Sequence, residues 1–595
     1  MKGSVTPEHQ LRENVRKEEL DRIANDLHDV LWGGGQHQNE LFYNLIGLFL
    51  TKIYDEKVKA NDDPYDFQII FEGNESETPE TTFQRINKLY KGEWDTKLKK
   101  FSQCALNYLL GFSDEQLKKT PDIVFNANKV KYVVETLQSI SFTTNKYDVL
   151  GDFFEKIVRA ELKQTKGQYL THHNIVDFIV KALSVDDLAI ALINGKDGRP
   201  RLPYIIDPAC GSGTFLIQCM REITSRILEE KKTYKNLKRT DDVEEFVETR
   251  FPEKKRNVWA NTFIFGIEIY PDLAMATKVN MVGHGDGSAN IQPADGLTDF
   301  SKYANANLLN IKRKNLVYEK SVNEQFDIVI SNPPFSITVD RDTAKQFPEL
   351  YLQGDKIAKA LKKEAKKEVD TENLFIERWY QLLRPKGRLG VVLPESVFDT
   401  TGNRPIRLFL FKYFWIKAVV SLPHLAFAPY TMTKTSLLFA QKKTDDEVQA
   451  WQEKWNEYKE EFTKLKKEFD KVRKQKRKKN EKESYLKLLK QYLRTLYNSE
   501  DDEISVADLE EKYLDDIDQI DCDWWVFSKI SEDFNYSIFM AHAEEVGYKR
   551  GANKEEIRPN ELFNAKEVDG RRTVFVNTKS PQKILDHLFK EDVWK

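Results

Sequence analysis

The sequence predicts an α/β protein built on a doubly wound parallel sheet, with helical regions before and after it. From about residue 200 to residue 441, short β-branched or apolar runs alternate with helical or loop stretches, which is the pattern of strands joined by crossover helices. Before residue 160 the apolar residues recur at spacings of three and four, and beyond Gln441 they follow a heptad spacing. A chain of 595 residues is long enough to form several such units.

Changes in composition and in the spacing of apolar residues along the chain predict four structural units. They are an N-terminal helical domain over residues 1–160, the α/β domain over residues 161–445, a helical hairpin or coiled coil over residues 446–515, and a C-terminal region of unassigned fold over residues 516–595. Six apolar runs are candidate strands: 203–206, 263–269, 326–331, 387–393, 416–421 and 436–440. All six lie in the second unit, so the predicted sheet lies there too.

The heptad pattern forms one apolar stripe along a predicted helix. Its members are Trp451, Trp455, Tyr458, Phe462, Leu465, Phe469 and Val472. A second helical pattern from Tyr485 to Leu496 predicts the other arm of a hairpin, but it is only about half as long as the first arm. Part of the stripe therefore needs another cover, either the chain's own C-terminal region or a partner protein.

Composition excludes several classes of protein. The 92 Lys and Arg residues against 95 Asp and Glu residues give a net charge of -3, so any affinity for DNA must be local or supplied by a partner. The four cysteines have no CxxC spacing, which predicts neither a disulfide framework nor a zinc site. The most apolar stretch, Leu41 to Leu50, is about half the length of a membrane span, and the charged N-terminus lacks a signal-peptide core. We therefore expect a cytoplasmic protein with no membrane segment.

The strongest local signal is an apolar strand that runs into a glycine loop and then an amphipathic helix, at residues 205–216. Asp207 ends the strand, and the loop contains Gly211, Ser212, Gly213 and Thr214. Glycines let the backbone approach a ligand, and the amides at the helix start can donate to a negative group such as a carboxylate. The third glycine of the dinucleotide fingerprint is absent, which disfavours a pyrophosphate cofactor. Taken alone, the loop is also compatible with a purely structural turn.

Two acidic residues are candidates for the same pocket. Glu268 ends the next apolar strand, where such folds commonly bind ribose hydroxyls, although a solvated charge is the simpler explanation of a single carboxylate. Asp295 lies in a turn and would accept a hydrogen bond from a purine amino group if it bordered the pocket. Both roles depend on the strands lying side by side.

A further strand at 326–331 ends in Asn332, Pro333, Pro334 and Phe335. The prolines fix the backbone, so the Asn332 side-chain oxygen and a neighbouring carbonyl can act as two acceptors, with Phe335 as a stacking surface. That arrangement suits a planar NH2 group, whose nitrogen becomes a better nucleophile when both hydrogens are held. Without the other motifs, a proline-rich turn is an equally good interpretation.

The three motifs in this order resemble the amino-group class of S-adenosylmethionine-dependent DNA methyltransferases. They resemble the adenine-N6 enzymes in particular, because cytosine-N4 members more often have Ser at the position of Asn332. In that class the glycine loop precedes the Asn-Pro-Pro-Phe segment, as it does here, with 125 positions from Asp207 to Asn332. The resemblance implies a Rossmann-like methyltransferase domain, S-adenosyl-L-methionine as the cofactor, and methyl transfer to N6 of a flipped adenine.

The run Lys-Gly-Gln-Tyr-Leu-Thr at 166–171 narrows the resemblance to modification (M) subunits of type I restriction-modification systems, in which this segment borders the methionine end of the cofactor. His172 departs from that pattern, because proline is usual there. The resemblance implies that the catalytic residues are Asn332, Pro333, Pro334 and Phe335, and that no metal takes part. The implied cofactor-binding residues are Gln168, Tyr169, Leu170, Thr171, Asp207, Gly211, Ser212, Gly213, Thr214, Glu268 and Asp295.

The resemblance also implies partners. It covers roughly residues 140 to 441, and after residue 441 there is no evident large domain for reading a DNA sequence. In type I systems a separate specificity (S) subunit has that task, and M subunits hold it partly through C-terminal helices. The implied partners are therefore DNA, an S subunit, a second M subunit and a restriction (R) subunit. Helices of the S subunit are then one candidate cover for the heptad stripe.

Four other functions fit the sequence less well or equally well. A stand-alone DNA adenine methyltransferase would share every motif. A protein or RNA methyltransferase is the second alternative, because release-factor glutamine methyltransferases also combine a glycine loop with an Asn-Pro-Pro-aromatic segment. However, their aromatic residue is usually Tyr, they lack the 166–171 motif and they are much shorter. Cytosine-C5 methylation needs a Cys nucleophile, normally after proline, and neither Cys210 nor Cys219 has that setting. A relic without catalysis is disfavoured by the intact 332–335 segment.

Each of two charged segments has two possible interpretations. The basic run at 464–482 is either a local phosphate-binding patch or a solvated helix face with its hairpin tip, and the second is favoured. The polar segment at 336–371 is either a loop that closes on DNA or a surface insertion.

Overall fold

The computed structural model describes most of the chain. The described residues are 11–12, 15, 17–32, 38–59, 63–110, 112–143, 171–252, 256–284, 290–299, 324–335, 337–339, 341–344, 347, 350, 369–428, 431–474, 487, 490, 522–550, 555–563, 583–591 and 593–594. The predicted cofactor residues Gln168, Tyr169 and Leu170 lie outside them, as does the second helical pattern at 485–496 apart from residues 487 and 490.

Helices lie on both sides of the sheet region and throughout the N-terminal part. They are α1 (Lys17–Trp32), α2 (Gln38–Val58), α3 (Pro79–Lys91), α4 (Ala105–Leu110), α5 (Asp114–Lys119), α6 (Ala127–Leu137), α7 (His173–Ala182), α8 (Val185–Ile193), α9 (Thr214–Thr233), α10 (Asp241–Arg250), α11 (Ala260–Phe263), α12 (Pro271–Gly283), α13 (Arg341–Ala344), α14 (Thr371–Leu382), α15 (Ser396–Asp399), α16 (Arg404–Tyr413), α17 (Asp445–Lys474), α18 (Cys522–Asp533) and α19 (Ile584–Lys590).

The strands form one large sheet and several two-stranded ladders. They are β1 (Phe71–Glu72), β2 (Glu75–Ser76), β3 (Trp94–Asp95), β4 (Lys100–Phe101), β5 (Ile205–Asp207), β6 (Ile264–Glu268), β7 (Asn290–Pro293), β8 (Phe326–Ser331), β9 (Thr338–Val339), β10 (Val369–Asp370), β11 (Leu383–Pro394), β12 (Phe414–Ser421), β13 (Thr435–Lys442), β14 (Phe539–His542), β15 (Val546–Arg550) and β16 (Glu555–Asn560).

The large sheet has eight strands in the order β14-β12-β13-β11-β8-β5-β6-β7. Neighbours pair in parallel except β13, which is antiparallel to both β11 and β12. The predicted doubly wound α/β fold is therefore confirmed, and the one antiparallel strand is a detail that the apolar pattern did not distinguish. Strand β8 is buried along its whole length, as expected for a parallel strand covered on both faces.

Two apolar cores cover the two faces of the sheet, because successive strand residues point to opposite sides. In β8, Ile328 and Ile330 belong to the core that includes residues of α7, α8 and α9, whereas Val329 belongs to the core that includes residues of α14 and α16. This layering places the ends of the strands, and not the faces of the sheet, in reach of a ligand.

The N-terminal helices form a third core, which also includes part of the α/β domain. Residues of α1, α2, α3, α4 and α6 pack with Leu273, Ala276 and Val279 of α12, the helix that follows β6. The region predicted to be all-α also contains the short hairpins β1–β2 and β3–β4. Because α12 belongs to both units, the N-terminal helices are attached directly beside the end of β6.

The first half of the heptad stripe is covered by the chain itself. Trp451 and Phe462 are buried in a small core with Trp525 of α18, and the ring centroids of Phe462 and Trp525 lie 5.5 Å apart. The Tyr458 hydroxyl donates to the Asp533 carboxylate at 2.7 Å. Of the two covers that the sequence left open, the C-terminal region therefore covers this half.

The region after residue 516, whose fold the sequence left unassigned, extends the sheet. Strand β14 pairs in parallel with β12 at the sheet edge, β15 and β16 form an antiparallel hairpin, and α19 packs against α7. Among the described residues, no helix has the length and apolar character that a bilayer crossing requires.

The contact of α17 with α18 predicts that Phe462→Ala destabilises this helix pair. Truncating a buried Phe typically costs about 3–5 kcal/mol, because apolar contacts are lost and a cavity remains. Hydrogen exchange should show faster exchange of α18 amides, and Glu460→Ala, which changes an exposed position of the same helix, should not. Unchanged α18 protection in Phe462→Ala would show that the stripe is not part of an internal core.

Candidate active site

The ends of three neighbouring strands meet at one edge of the sheet. Strand β5 lies between β6 and β8, and the chain leaves it toward β6 and later returns to β8 on its other side, so β5 and β8 flank the switch point of the sheet. Ligands of doubly wound sheets bind in the crevice at such a point. A cavity of about 220 Å³ lies there.

Most of the site residues predicted from the sequence line this cavity. They are Thr171, Asp207, Gly211, Ser212, Thr214, Glu268, Asp295, Asn332 and Pro334. Gly213, Pro333 and Phe335 do not line it. The structure therefore brings together three motifs that are far apart in the chain.

Asp207 is a buried carboxylate at the end of β5, with 1% of its surface exposed. Its Oδ1 atom accepts hydrogen bonds from the Ala209 amide at 3.0 Å and from the Ser331 hydroxyl at 2.7 Å. Burial raises the pKa of Asp207 to about 7, and these two hydrogen bonds lower it only in part. Asp207 thus links the start of the glycine loop to the residue before Asn332.

Glu268 is not a solvated charge at a strand end. It is 6% exposed, and its two oxygens accept from the Gly211 amide and the Tyr270 amide, each at 3.0 Å. Desolvation by burial raises the pKa of this carboxyl, while the backbone donors lower it. Glu268 therefore joins the end of β6 to the glycine loop as well as bordering the cavity.

The glycine loop is held from behind by α12. Gly213 has a φ of +79°, and a Cβ atom there would lie 2.6 Å from the Thr277 methyl carbon, so only glycine fits without a shift. The Thr277 hydroxyl donates to the Gly211 carbonyl, and the Asn280 amide donates to the Ser212 carbonyl at 3.2 Å. The close packing explains why Gly213 shapes the loop without lining the cavity.

Asp295 lies in a turn, as the sequence predicted, and this turn borders the cavity. Its Oδ1 atom accepts from the Leu297 amide at 2.9 Å, which is a turn-stabilising bond, and the residue also borders the cavity. The next residue, Gly296, passes so close to the glycine loop that a Cβ atom would lie 2.1 Å from the Pro208 carbonyl oxygen. This contact brings the Asp295 turn beside the loop.

Asn332 is one of the residues that line the cavity. Its Nδ2 atom donates to the Thr171 hydroxyl at 2.9 Å, and its buried Oδ1 atom has no hydrogen-bond partner within the described part of the chain. A buried acceptor without a donor is costly, and a ligand in the cavity that donated to it would offset that cost. The Pro334 carbonyl already accepts from the Thr371 hydroxyl at 3.2 Å.

Phe335 differs from its expected role. The motif predicts that its ring forms a stacking surface for the planar amine, but the side chain is 3% exposed and belongs to the core on the α7 side of the sheet. The apolar packing of the neighbouring strands and helices holds the ring inward. In this structure the exposed apolar surface at the cavity is supplied by Ile269, Tyr270 and Ile337.

Ser331, Thr277 and Thr371 support the site but were not predicted from the sequence. Ser331 is the last residue of β8, directly before Asn332. Nothing in the apolar pattern of the strand distinguishes it as a site residue. Thr277 and Thr371 act through hydrogen bonds to loops that are distant in sequence.

Among the described residues, no group of three or more His, Cys, Asp or Glu side chains has the arrangement of a metal site. Burial raises the pKa of the Cys210 and Cys219 thiols, which disfavours a cysteine nucleophile.

The fold and the site define a doubly wound α/β protein with a small-ligand crevice at the switch point of its sheet. The model of the N-6 DNA Methylase family matches residues 145–518, and the chain belongs to this family. The family match includes all the site residues predicted above.

Individual relatives carry related names. The methylase subunit of the type I restriction enzyme EcoEI from Escherichia coli is 25% identical over 321 residues, which are 53% of this chain and 51% of that protein. The MjaVIII methylase subunit from Methanocaldococcus jannaschii is 24% identical over 327 residues, covering 53% of this chain and 44% of that protein. The chain thus spans about half the length of the curated relatives it matches. A type I methyltransferase subunit from Streptococcus thermophilus has a similar solved structure, with a TM-score of 0.44, 16% identity, and coverage of 73% of this chain and 92% of that one.

The buried Asp207 predicts a pH dependence of stability. Its folded pKa of about 7 exceeds the unfolded value near 3.8, so between these values the folded state binds a proton that the unfolded state releases. Stability from this group therefore falls as pH rises through that window, by about 1.4 kcal/mol per pH unit. Relative to wild type, Asp207→Asn should gain stability between pH 4 and pH 7 in guanidinium unfolding.

Glu245→Gln, which removes an exposed carboxylate of α10, is the control for the loss of one acidic group. If the difference between Asp207→Asn and wild type stays constant over this pH range, Asp207 is ionised in the folded protein and the burial argument is wrong.

Proposed function

We propose that the chain is the modification subunit of a type I restriction-modification system and transfers a methyl group from S-adenosyl-L-methionine to N6 of adenine in DNA. The observation that carries this proposal is that Asn332, whose buried amide oxygen has no partner among the described residues, lines the same cavity as a glycine loop and two buried carboxylates. Membership of the N-6 DNA Methylase family supports the adenine product.

The residues on the β5 and β6 side of the cavity fit the cofactor. S-adenosylmethionine, when bound, supplies the methyl group on a positively charged sulfur. Glu268 is the candidate partner of the ribose hydroxyls, because its carboxylate borders the cavity at the end of β6. Asp207 and the loop from Gly211 to Thr214 would bind the remainder, and Asp295 is the candidate acceptor for the purine amino group. Gln168 to Thr171 are proposed for the methionine end.

The residues on the β8 side fit a planar amine. Asn332 Oδ1 would accept one hydrogen of the adenine amine, and a neighbouring carbonyl of the 332–335 segment would accept the second. Held in this way, the amine nitrogen would direct its lone pair at the methyl carbon, so that the N–C bond forms as the sulfonium C–S bond breaks and the amine then loses one proton to water. The protein contributes placement and hydrogen bonding and needs no covalent intermediate.

The adenine must leave the DNA stack to reach Asn332, since a paired base cannot bring its amine into a crevice at the end of a sheet. Stacking of the flipped base on Phe335 would require that ring to leave its core position. The exposed side chains of Ile337 and Tyr270 offer an alternative apolar surface at the cavity mouth.

The proposed partners are an S subunit that reads the DNA sequence, a second M subunit and an R subunit. The names of the curated relatives support a type I system, and the net charge of -3 agrees with DNA recognition delegated to another subunit. We assign the assembly to the cytoplasm, where it would meet its DNA.

The proposal is tested by expressing the chain with its cognate S subunit and identifying the methylated base by mass spectrometry. We expect N6-methyladenine, no site-specific product from the chain alone, and loss of methylation in Asn332→Ala with cofactor affinity retained within about twofold, or roughly 0.4 kcal/mol. Glu268→Ala should instead weaken cofactor binding in calorimetry.

Asn373→Ala is a matched control, because Asn373 also has a buried amide oxygen without a partner but does not line the cavity. It should methylate normally. N4-methylcytosine as the product would contradict the adenine assignment, and full activity of Asn332→Ala would remove Asn332 from the reaction.

A further inference from the structure

The C-terminal hairpin β15–β16 packs against the beginning of α7, next to the proposed active site. Tyr548 of β15 is 6% exposed, and its ring is stacked on His172 with centroids 3.5 Å apart and an interplanar angle of 18°. The Tyr548 hydroxyl donates to the Ala426 carbonyl at 2.7 Å. The hairpin lies beyond residue 518, where the match to the family model ends.

His172 is held on both sides and also begins α7. Its ring is buried and lies between Tyr548 and His173, whose centroid is 3.9 Å from that of His172. Its Nδ1 atom accepts from the Asn174 amide at 3.1 Å and so caps the helix. The histidine at this position, where the resemblance places proline, therefore both caps α7 and supplies the ring on which Tyr548 stacks.

A second contact fixes the hairpin to the same turn of α7. The Asn174 side-chain amide donates to the Val546 carbonyl at 2.9 Å. Gly547 has a φ of +90°, and a Cβ atom there would lie 2.2 Å from Asn174 Nδ2. The approach of the hairpin to α7 therefore requires glycine at this position.

The residue before His172 orients the proposed catalytic amide. The Thr171 hydroxyl accepts from Asn332 Nδ2 at 2.9 Å, and Asn332 Oδ1 has no partner among the described residues. Thr171 is 7% exposed and lies outside α7, so its position depends on that of the capping residue His172. A change in the stack on His172 would be transmitted over one peptide unit to the Thr171 hydroxyl.

We propose that Tyr548 is a positioning residue for methyl transfer. By stacking on His172 it fixes Thr171, and Thr171 holds the Asn332 amide with its oxygen toward the acceptor amine. This role rests on the proposed function, and it assigns a task to the C-terminal region that the family match does not include.

The test compares single-turnover methylation rates and cofactor affinity in the complex with the S subunit. Tyr548→Leu should lower the rate by about tenfold or more, because the catalytic amide is misplaced, while the cofactor Kd, to which Thr171 contributes at the methionine end, should change by a clearly smaller factor than the rate. Tyr548→Phe keeps the stacked ring and should restore most of the rate. Trp594→Leu is the matched control, since Trp594 donates to the Ala182 carbonyl at the far end of α7 and should leave the rate nearly unchanged.

A double variant separates positioning from general destabilisation. Thr171→Val removes the hydroxyl that holds Asn332, so adding Tyr548→Leu to it should slow methylation little further, because both changes act on the same amide. If the two substitutions instead multiply in their effect on the methylation rate, the positioning role is wrong. It is also wrong if Tyr548→Leu lowers cofactor affinity by as large a factor as it lowers the rate. An unchanged rate in Tyr548→Leu would also overturn it.

Hydrogen exchange tests the stack without requiring methylation. The Asn174 amide, which donates to His172, should exchange faster in Tyr548→Leu and at the wild-type rate in Tyr548→Phe. If wild type fails to methylate adenine but this exchange pattern holds, the proposed function fails while the contact stands. Unchanged exchange in Tyr548→Leu would refute the effect of Tyr548 on His172.

Discussion

The hydrogen bond from the Ser331 hydroxyl to the Asp207 carboxylate joins the two halves of the proposed site. It is 2.7 Å long, fully buried, and spans the ends of the neighbouring strands β5 and β8. Asp207 leads into the glycine loop, which is proposed to bind the cofactor, and Ser331 precedes Asn332, which is proposed to hold the adenine amine. The bond therefore sets the distance between these two parts of the site. A buried carboxylate is costly, and its hydrogen bonds to Ser331 and Ala209 offset part of that cost.

Further hydrogen bonds and packing contacts hold the residues on either side of this bond. Glu268 ties the glycine loop to β6, and Thr277 and Asn280 of α12 tie it to a helix that also packs in the N-terminal core. Next to β8, the Thr171 hydroxyl accepts a hydrogen bond from Asn332, and the neighbouring His172 stacks on Tyr548 of the C-terminal hairpin. Segments from both ends of the chain therefore support the loops at the switch point of the sheet.

The sequence predicted what depends on local pattern. The apolar runs at 263–269 and 326–331 correspond to β6 and β8, and the polar residues at the strand ends do meet, because parallel strands place their carboxyl ends at one edge. The antiparallel direction of β13 and the added strand β14 were not predictable, since an apolar run does not specify its neighbour or its direction. The same holds for Thr371 and Tyr548, whose roles come from contacts across long stretches of chain. Phe335 shows the converse case, in which a motif identified the residue but packing set the position of its side chain.

A double-mutant cycle over Ser331→Ala and Asp207→Asn tests most directly whether the two halves of the site are one coupled unit. The quantity to measure is kcat/KM for DNA methylation in the complex with the S subunit. We expect each single change to reduce it and the double change to cost less than the sum, with a coupling energy of roughly 1–3 kcal/mol, as for a buried hydrogen bond to a carboxylate. Additive effects, with a coupling energy near zero, would contradict the claim that this bond sets the geometry of the site.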